Sequence, residues 1–206
     1  MQEKKGRGSL FIVSAPSGAG KTTLCKKLNS VLPNLRHSIS YTTRPPRPGE
    51  VSGRDYTFID EDTFRLMIDR GEFAEWARVH GQLYGTSKKR LEELMDAGID
   101  VILDIDTQGA MQIKERYKEG IYIFILPPTM KALRERLEKR MANSKDEIEL
   151  RLRKAIDEIK DYHKYDYVIV NDSFKEALKE LKAIIISYRV STKRIDTSWI
   201  EDSFLK

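Results

Sequence analysis

The sequence predicts a wound α/β fold: a three-layer core with a parallel sheet between helices, carrying a small, mostly β insertion and a helical lid. Three observations predict it. Short runs of β-branched and aromatic residues alternate with segments whose apolar residues recur at helical spacing. A glycine-rich turn joins the first such run to the first helix. Two stretches, rich in Pro, Gly, Thr and Arg or in Arg alone, break the alternation. The chain has 206 residues, enough for one core with inserted subdomains. With 40% hydrophobic and 33% charged residues it is composed as a globular protein rather than a disordered or coiled-coil one.

In chain order, Leu10–Ser14, Val101–Asp104, Ile121–Leu126 and Tyr167–Val170 read as strands buried on both faces, the mark of a parallel sheet. Leu24 and Leu28 share one face of a helix after the first strand. Ile148, Leu152, Ala155, Ile156 and Ile159 form an apolar stripe on a later helix, and Leu178, Leu181, Ile185 and Tyr188 repeat the pattern. Residues 37–86 include short alternating pieces such as Asp55–Ile59 and suit a β-rich subdomain. Residues 127–153 carry Arg134, Arg136, Arg140, Arg151 and Arg153 around a polar joint, Asn143–Asp146, and read as a lid between two helices. The core is then 8–36, 87–126 and 154–191. The ending, 192–206, is expected to dock through Trp199, Ile200, Phe204 and Leu205 as a short helix.

Charge and cysteine narrow the function classes. Lys and Arg number 37 against 32 Asp and Glu, a net charge of +5, which favours anionic partners. Cys25 has no second cysteine to pair with, and the three histidines form no zinc-ligand cluster, so the chain reads as reduced, cytoplasmic and without structural zinc. Leu10–Val13 is too short for a signal-peptide core, and no run approaches the length of a membrane span. The arginines gather near proposed phosphate sites without an aromatic RNA-binding signature, which argues against nucleic acid.

Ala15-Pro-Ser-Gly-Ala-Gly-Lys-Thr22 is a P-loop. Gly18 and Gly20 let successive backbone amides curl around an anion, and the following helix directs its positive end at it. Ala15, Pro16, Ser17, Gly18, Ala19, Gly20, Lys21, Thr22 and Thr23 are therefore the nucleotide-binding candidates, which the resemblance given below assigns to ATP. Lys21 is expected to reach the β- and γ-phosphates, and the Thr22 hydroxyl to meet Mg²⁺. Ala15 stands where the first Gly of the pattern is expected. Asp104, at the end of a buried strand, is placed to hold the metal or its water shell.

Four segments then carry a family resemblance: Ser14–Thr22; Ser40-Tyr-Thr-Thr-Arg-Pro-Pro-Arg-Pro-Gly-Glu50 continuing to Gly53-Arg-Asp-Tyr56; Glu75-Trp76 with Tyr84-Gly-Thr86; and Leu103-Asp-Ile-Asp-Thr-Gln-Gly109. From about Gly8 to Arg189 the chain resembles the nucleoside monophosphate kinases and, more closely, the guanylate kinase family. The second segment is far more specific than the P-loop, which many families share. The resemblance implies ATP + GMP ⇌ ADP + GDP with Mg²⁺, dGMP as a secondary acceptor, residues 37–86 as the GMP-binding region, and a monomer or homo-oligomer.

The resemblance also implies roles. Arg44 and Arg47 with the hydroxyls of Tyr56 and Tyr84 grip the acceptor phosphate, a task suited to guanidinium forks and phenol donors. Glu75, assisted by Ser40, Thr86 and Asp106, reads guanine, whose adjacent N1–H and N2 amine one carboxylate can accept together. Adenine leaves that carboxylate unpaired. Arg136, Arg140 and Arg151 close over the migrating phosphoryl group with Lys21. Met141 follows Arg140 where relatives usually carry Gly. Asn171 matches a position near the ATP adenine. His37, His80 and His163 are read as structural or surface residues, and Cys25 as packing of the first helix.

Overall fold

In chain order the elements of the computed structural model are β1 (Leu10–Ser14), α1 (Lys21–Val31), β2 (Leu35–His37), β3 (Tyr41–Thr42), β4 (Thr57–Phe58), α2 (Glu61–Asp69), β5 (Phe73–Val79), β6 (Gln82–Ser87), α3 (Lys88–Asp96), β7 (Asp100–Asp104), α4 (Thr107–Arg116), β8 (Ile121–Leu126), α5 (Met130–Arg140), α6 (Lys145–Lys160), β9 (Tyr167–Val170) and α7 (Phe174–Arg189). The structure describes residues 6–79, 81–140, 145–195 and 197–206, without the side chains of Arg140 and Trp199. His80, Met141 and the Asn143 half of the polar joint lie outside the described residues.

The core sheet runs β2-β7-β1-β8-β9 with every pair parallel. Along β1 successive side chains alternate between its faces. Phe11 and Val13 join Leu24, Cys25, Leu28, Leu181 and Ile185 from α1 and α7. Leu10 and Ile12 face Leu91, Met95, Ala110 and Ile113 from α3 and α4. Both faces are thus covered and three layers result. Cys25 is buried among those α1 residues, as its helical position implied.

A second sheet, β4-β3-β6-β5, is built within residues 41–87, with β3–β6 and β5–β6 antiparallel and β3–β4 parallel. It has its own small core of Phe64, Phe73 and Leu83. Phe64 comes from α2, a helix that the β-rich reading did not anticipate. Asp60 caps it by accepting from the Thr63 amide. The α5–α6 pair closes a separate cluster of Leu133, Leu137, Ile148, Leu152 and Ala155.

Three expectations are corrected. β9 is an edge strand: Ile169 is buried, but Tyr167, Val168 and Val170 are 45–50% exposed, because one side of it has no further strand. Ile156 faces outward from α6 while Ile148, Leu152 and Ala155 face inward, since the buried stripe is narrower than the apolar spacing suggested. Phe204 and Leu205 of the helical ending are exposed rather than docked in a core. Edge strand β2 went unread because Leu35-Arg36-His37 offers only one large aliphatic residue. Among the described residues no helix is long and apolar enough to cross a membrane.

Candidate functional site

β1 delivers the chain into the P-loop, and α1 starts at Lys21. Gly18 and Gly20 both have φ of 96°, a left-handed conformation that side-chain-bearing residues rarely adopt. Ala15 is not among the residues with positive φ, so alanine there costs nothing in backbone strain. Gly20 caps α1 with no side-chain hydrogen bond, and the first turn carries no acid. The helix therefore presents its amides and positive end to an anion.

Lys21 Nζ donates to the Ile105 carbonyl at 2.5 Å and lies 3.3 Å from Asp104 Oδ1. Burial by itself raises the Asp104 pKa, but Lys21 beside it, with His37 and the Thr22 hydroxyl, more than offsets this and holds it at about 2. Asp104 is therefore an anion at the carboxyl end of β7, next to the Thr22 hydroxyl. His37, at the end of β2, has a buried Nε2 3.7 Å from Asp104 Oδ2. It packs behind Asp104, the structural one of the two placements expected for it.

The second sheet faces this cradle. Arg44 Nη2 donates to both oxygens of Glu50 at 2.9 Å, its Nη1 donates to the Pro45 carbonyl, and the guanidinium lies over the rings of Tyr56 and Phe58. Glu50 also accepts from the Arg47 amide at 2.7 Å. One carboxylate thus holds the Arg44 side chain and the Arg47 backbone of this loop. Burial pushes the Tyr56 hydroxyl up to about 12, so it stays a donor, and its ring meets that of Tyr84 edge-on at 6.0 Å.

Glu75 on β5 is 3% exposed and accepts from Thr86 Oγ1 of β6 at 2.6 Å. Its carboxyl is pushed up to about 7, first by burial; Thr86 opposes, Asp106 adds to the rise, and Lys21 opposes. Gly109 is required here, because a Cβ would come within 2.5 Å of Glu75 Oε2. Asp106 does double duty: its carboxylate caps α4 through the Gly109 amide at 2.8 Å and faces the cavity.

One cavity of about 430 Å³ joins these parts. Ala15, Pro16, Ser17, Gly18, Gly20, Lys21, Thr22, Thr23, Ser40, Arg44, Arg47, Tyr56, Glu75, Tyr84, Asp104, Asp106 and Arg151 all line it. Ala19 and Thr86 stand fully buried behind the wall. Arg151 on α6 pairs with Glu147 at 2.9 Å. Arg136 on α5 donates to the Asn171 carbonyl at 2.7 Å, and the Asn171 side chain donates to the Ala19 carbonyl. Asn171 is 5% exposed and committed to the P-loop backbone. The Arg140 side chain lies outside the described residues.

The sequence reading missed Glu158, which lines the cavity from α6. Burial pushes it up to about 7, with Lys21 and the Ser17 amide opposing and Asp106 adding. Its signal was present: Glu147, Arg151 and Glu158 sit four and seven residues apart on one helix face. Glu50 and Gly109 stand in the resembling segments, and only the fold shows what they do there.

The guanylate kinase family profile matches residues 7–188. The chain is 58% identical to the guanylate kinase of Geobacter metallireducens and 55% to that of Geobacter sulfurreducens, in each case over 93% of this chain and 94% of the relative. Its fold is similar to the crystal structure of guanylate kinase from Anaplasma phagocytophilum, with a TM-score of 0.82 and 34% identity over 98% of this chain and 97% of that one. The profile covers most of the chain, and the relatives match it well beyond the P-loop that carries the phosphate motif, so the chain belongs to the guanylate kinase family.

Proposed function

We propose that the cavity between the P-loop and the second sheet is where this chain carries out the reaction of its family, transfer of the γ-phosphoryl group of ATP to GMP, giving ADP and GDP. That it is an ATP:GMP phosphotransferase follows from its family. The assignment of residues rests on the observation that Glu75 faces the same cavity as Lys21 and the P-loop amides. GMP takes the side of the second sheet, with its phosphate against Arg44, Arg47, Tyr56 and Tyr84 and its base against Glu75, Ser40 and Asp106. ATP takes the P-loop side. dGMP, which keeps the base and the phosphate, serves as a secondary acceptor.

No residue needs to act as general base. The nucleophile is an oxygen of the acceptor phosphate, which with a second pKa of about 6 is mostly dianionic at pH 7. Catalysis is positioning and charge: Lys21, Arg151, Arg136 and Arg140 neutralise the transferring oxygens while the glycine-rich backbone holds the polyphosphate. Closure of the α5–α6 pair over the cavity excludes water, which otherwise competes as acceptor.

The residues fit Mg²⁺ arriving with ATP. Among the described residues no cluster of three or more acidic, His or Cys side chains forms a cage. One hydroxyl, Thr22, and one ionised carboxylate, Asp104, suit a cation that keeps phosphates and waters as its other ligands. Thr22 would hold it directly and Asp104 through its water shell, and the ion would supply charge neutralisation of the phosphates. A cytoplasmic location agrees with this substrate pair and with the unpaired Cys25.

The test is a coupled ADP-release assay with Mg-ATP and GMP, dGMP, AMP, CMP or UMP in turn. Turnover is expected with GMP, less with dGMP, and little with the others. Equal rates with AMP, or ADP release without any acceptor, would overturn the assignment.

A further inference from the structure

The loop between β9 and α7 reaches back across the core to the P-loop, and Asn171 makes the contact. Its side-chain amide donates to the Ala19 carbonyl at 2.7 Å, a bond that is buried and spans most of the chain. There are no cis peptide bonds among the described residues, so the Ala19 carbonyl and the Gly20 N–H point in opposite directions across one plane. Whatever fixes that carbonyl fixes the amide. Asn171 lies behind the loop, whereas Gly20 lines the cavity. Drawing the carbonyl back toward Asn171 turns the Gly20 N–H outward, to the side on which the polyphosphate is read to lie.

The fit is mutual. A Cβ on Gly20 would fall 2.4 Å from Asn171 Nδ2, so this approach needs glycine as well as the left-handed φ of 96°. The Asn171 main-chain carbonyl in turn accepts from Arg136 of α5 at 2.7 Å. One residue thus joins an arginine of the lid helix to a peptide plane of the phosphate cradle. At 5% exposure, with its amide engaged, its side chain has little free surface for an adenine ring.

We propose that Asn171 is a positioning residue for the polyphosphate of ATP, acting through the Ala19–Gly20 peptide to aim the Gly20 amide at a phosphate oxygen, rather than a contact to the base. The proposal rests on the reading of the P-loop side of the cavity as the ATP site. It makes the effect of Asn171 independent of which base the triphosphate carries, because the amide it sets meets phosphate alone.

The experiment is calorimetric titration of the wild type and Asn171→Ala with ATP, with inorganic tripolyphosphate, and with GMP, at one fixed magnesium concentration. ATP and tripolyphosphate are expected to weaken by the same factor, about tenfold, as one lost charge-assisted hydrogen bond would give. GMP affinity should stay within twofold. Weakening of ATP without tripolyphosphate would make Asn171 a base contact and overturn the proposal; so would unchanged affinity for both, or an equal loss for GMP. If Asn171→Ala does not fold, Asn171→Asp keeps the size and replaces the donor with an acceptor, and the same base-independent loss is expected. Wild-type protein that bound neither ATP nor tripolyphosphate would remove the reading of the cleft itself and this proposal with it. A wild type that binds both, beside a variant that binds them equally well, would remove the proposal alone.

Discussion

Thr86 donates its hydroxyl to Glu75 across adjacent strands at 2.6 Å, inside a wall where Glu75 is almost wholly buried. Thr86 is a neutral donor, and among the described residues no cation pairs with the carboxylate directly. A buried carboxylate so placed favours its protonated form, and its pKa of about 7 follows. A ligand offering two adjacent N–H donors reverses that preference.

GMP binding should therefore depend on pH through Glu75. The charged form accepts both guanine donors and the protonated form cannot, so affinity is expected to fall as pH drops below about 7, approaching tenfold per pH unit. Guanosine, which has no titrating phosphate, isolates the effect. Calorimetry at pH 8 and pH 6 should show the weaker binding at pH 6, with proton release near pH 7. A dissociation constant flat across that range would remove Glu75 from the base-reading role.

The same residue should trade stability for recognition. Its pKa is raised from 4.5 to about 7, so the folded state holds the proton more tightly than the unfolded chain. The stabilisation associated with that proton is complete below the unfolded value and is lost as pH rises through 7. By pH 8 the charged carboxylate costs on the order of 2–3 kcal/mol. Glu75→Gln, which still accepts from Thr86, is expected to raise Tm at pH 8 by roughly 5–10 °C, with the difference shrinking toward pH 4.5. It should also lower the preference for GMP over AMP. A variant melting below wild type at pH 8 would contradict this account.

The legible parts of fold and site were those written in contiguous residues. The strand, turn and helix around Gly18–Thr22 carry their periodicity and their glycines locally, and the runs at 101–104 and 121–126 are apolar because two helical layers cover them. β9 shows the limit: Val168 and Val170 are as apolar as Ile123 and Ile125, and only the strand order exposes them. Arg44 and Glu75 could be read from the resemblance, but the Arg44–Glu50 pair and the closeness of Glu75 to Gly109 are properties of the folded wall. His37 and Glu158 have neighbours more than 60 residues away at Asp104 and more than 50 away at Asp106, so no local pattern announced their environment.

Lys21 holds Asp104 as well as facing the phosphates, and the two roles separate experimentally. Lys21→Ala should lower kcat by roughly 10²–10³ through the lost neutralisation of the transferring group. Measured at pH 8, where Glu75 stays mostly ionised, the GMP dissociation constant should move less than twofold, since the acceptor pocket keeps Arg44 and Glu75. The carboxyl of Asp104, deprived of its nearest cation, should titrate at higher pH by NMR. Near-normal kcat would take Lys21 out of the reaction, and an unmoved Asp104 would mean that His37 and Thr22 suffice to hold it.

The core has an ionic lock distant in role from the cavity. Asp100 at the start of β7 is fully buried and accepts from the Ser9 amide at 2.9 Å, from Arg189 at 2.7 Å and from Arg194 at 2.8 Å. Arg189 also donates to the carbonyls of Pro33 and Asn34, both at 3.0 Å, so the end of α7 is tied to the turn before β2. Removing the carboxylate strands two guanidinium groups and an amide, and breaking a buried pair in this way costs about 3–5 kcal/mol. Asp100→Ala is expected to lower Tm by roughly 10–15 °C. Arg194→Ala should cost much less, because Arg189 still neutralises the anion. Well below the melting range, kcat and the GMP KM of both variants should match wild type, as no ligand-facing residue is moved. Equal losses for the two variants would show that the lock depends on Arg194, and a kcat defect at full folding would show that it reaches the P-loop through β1.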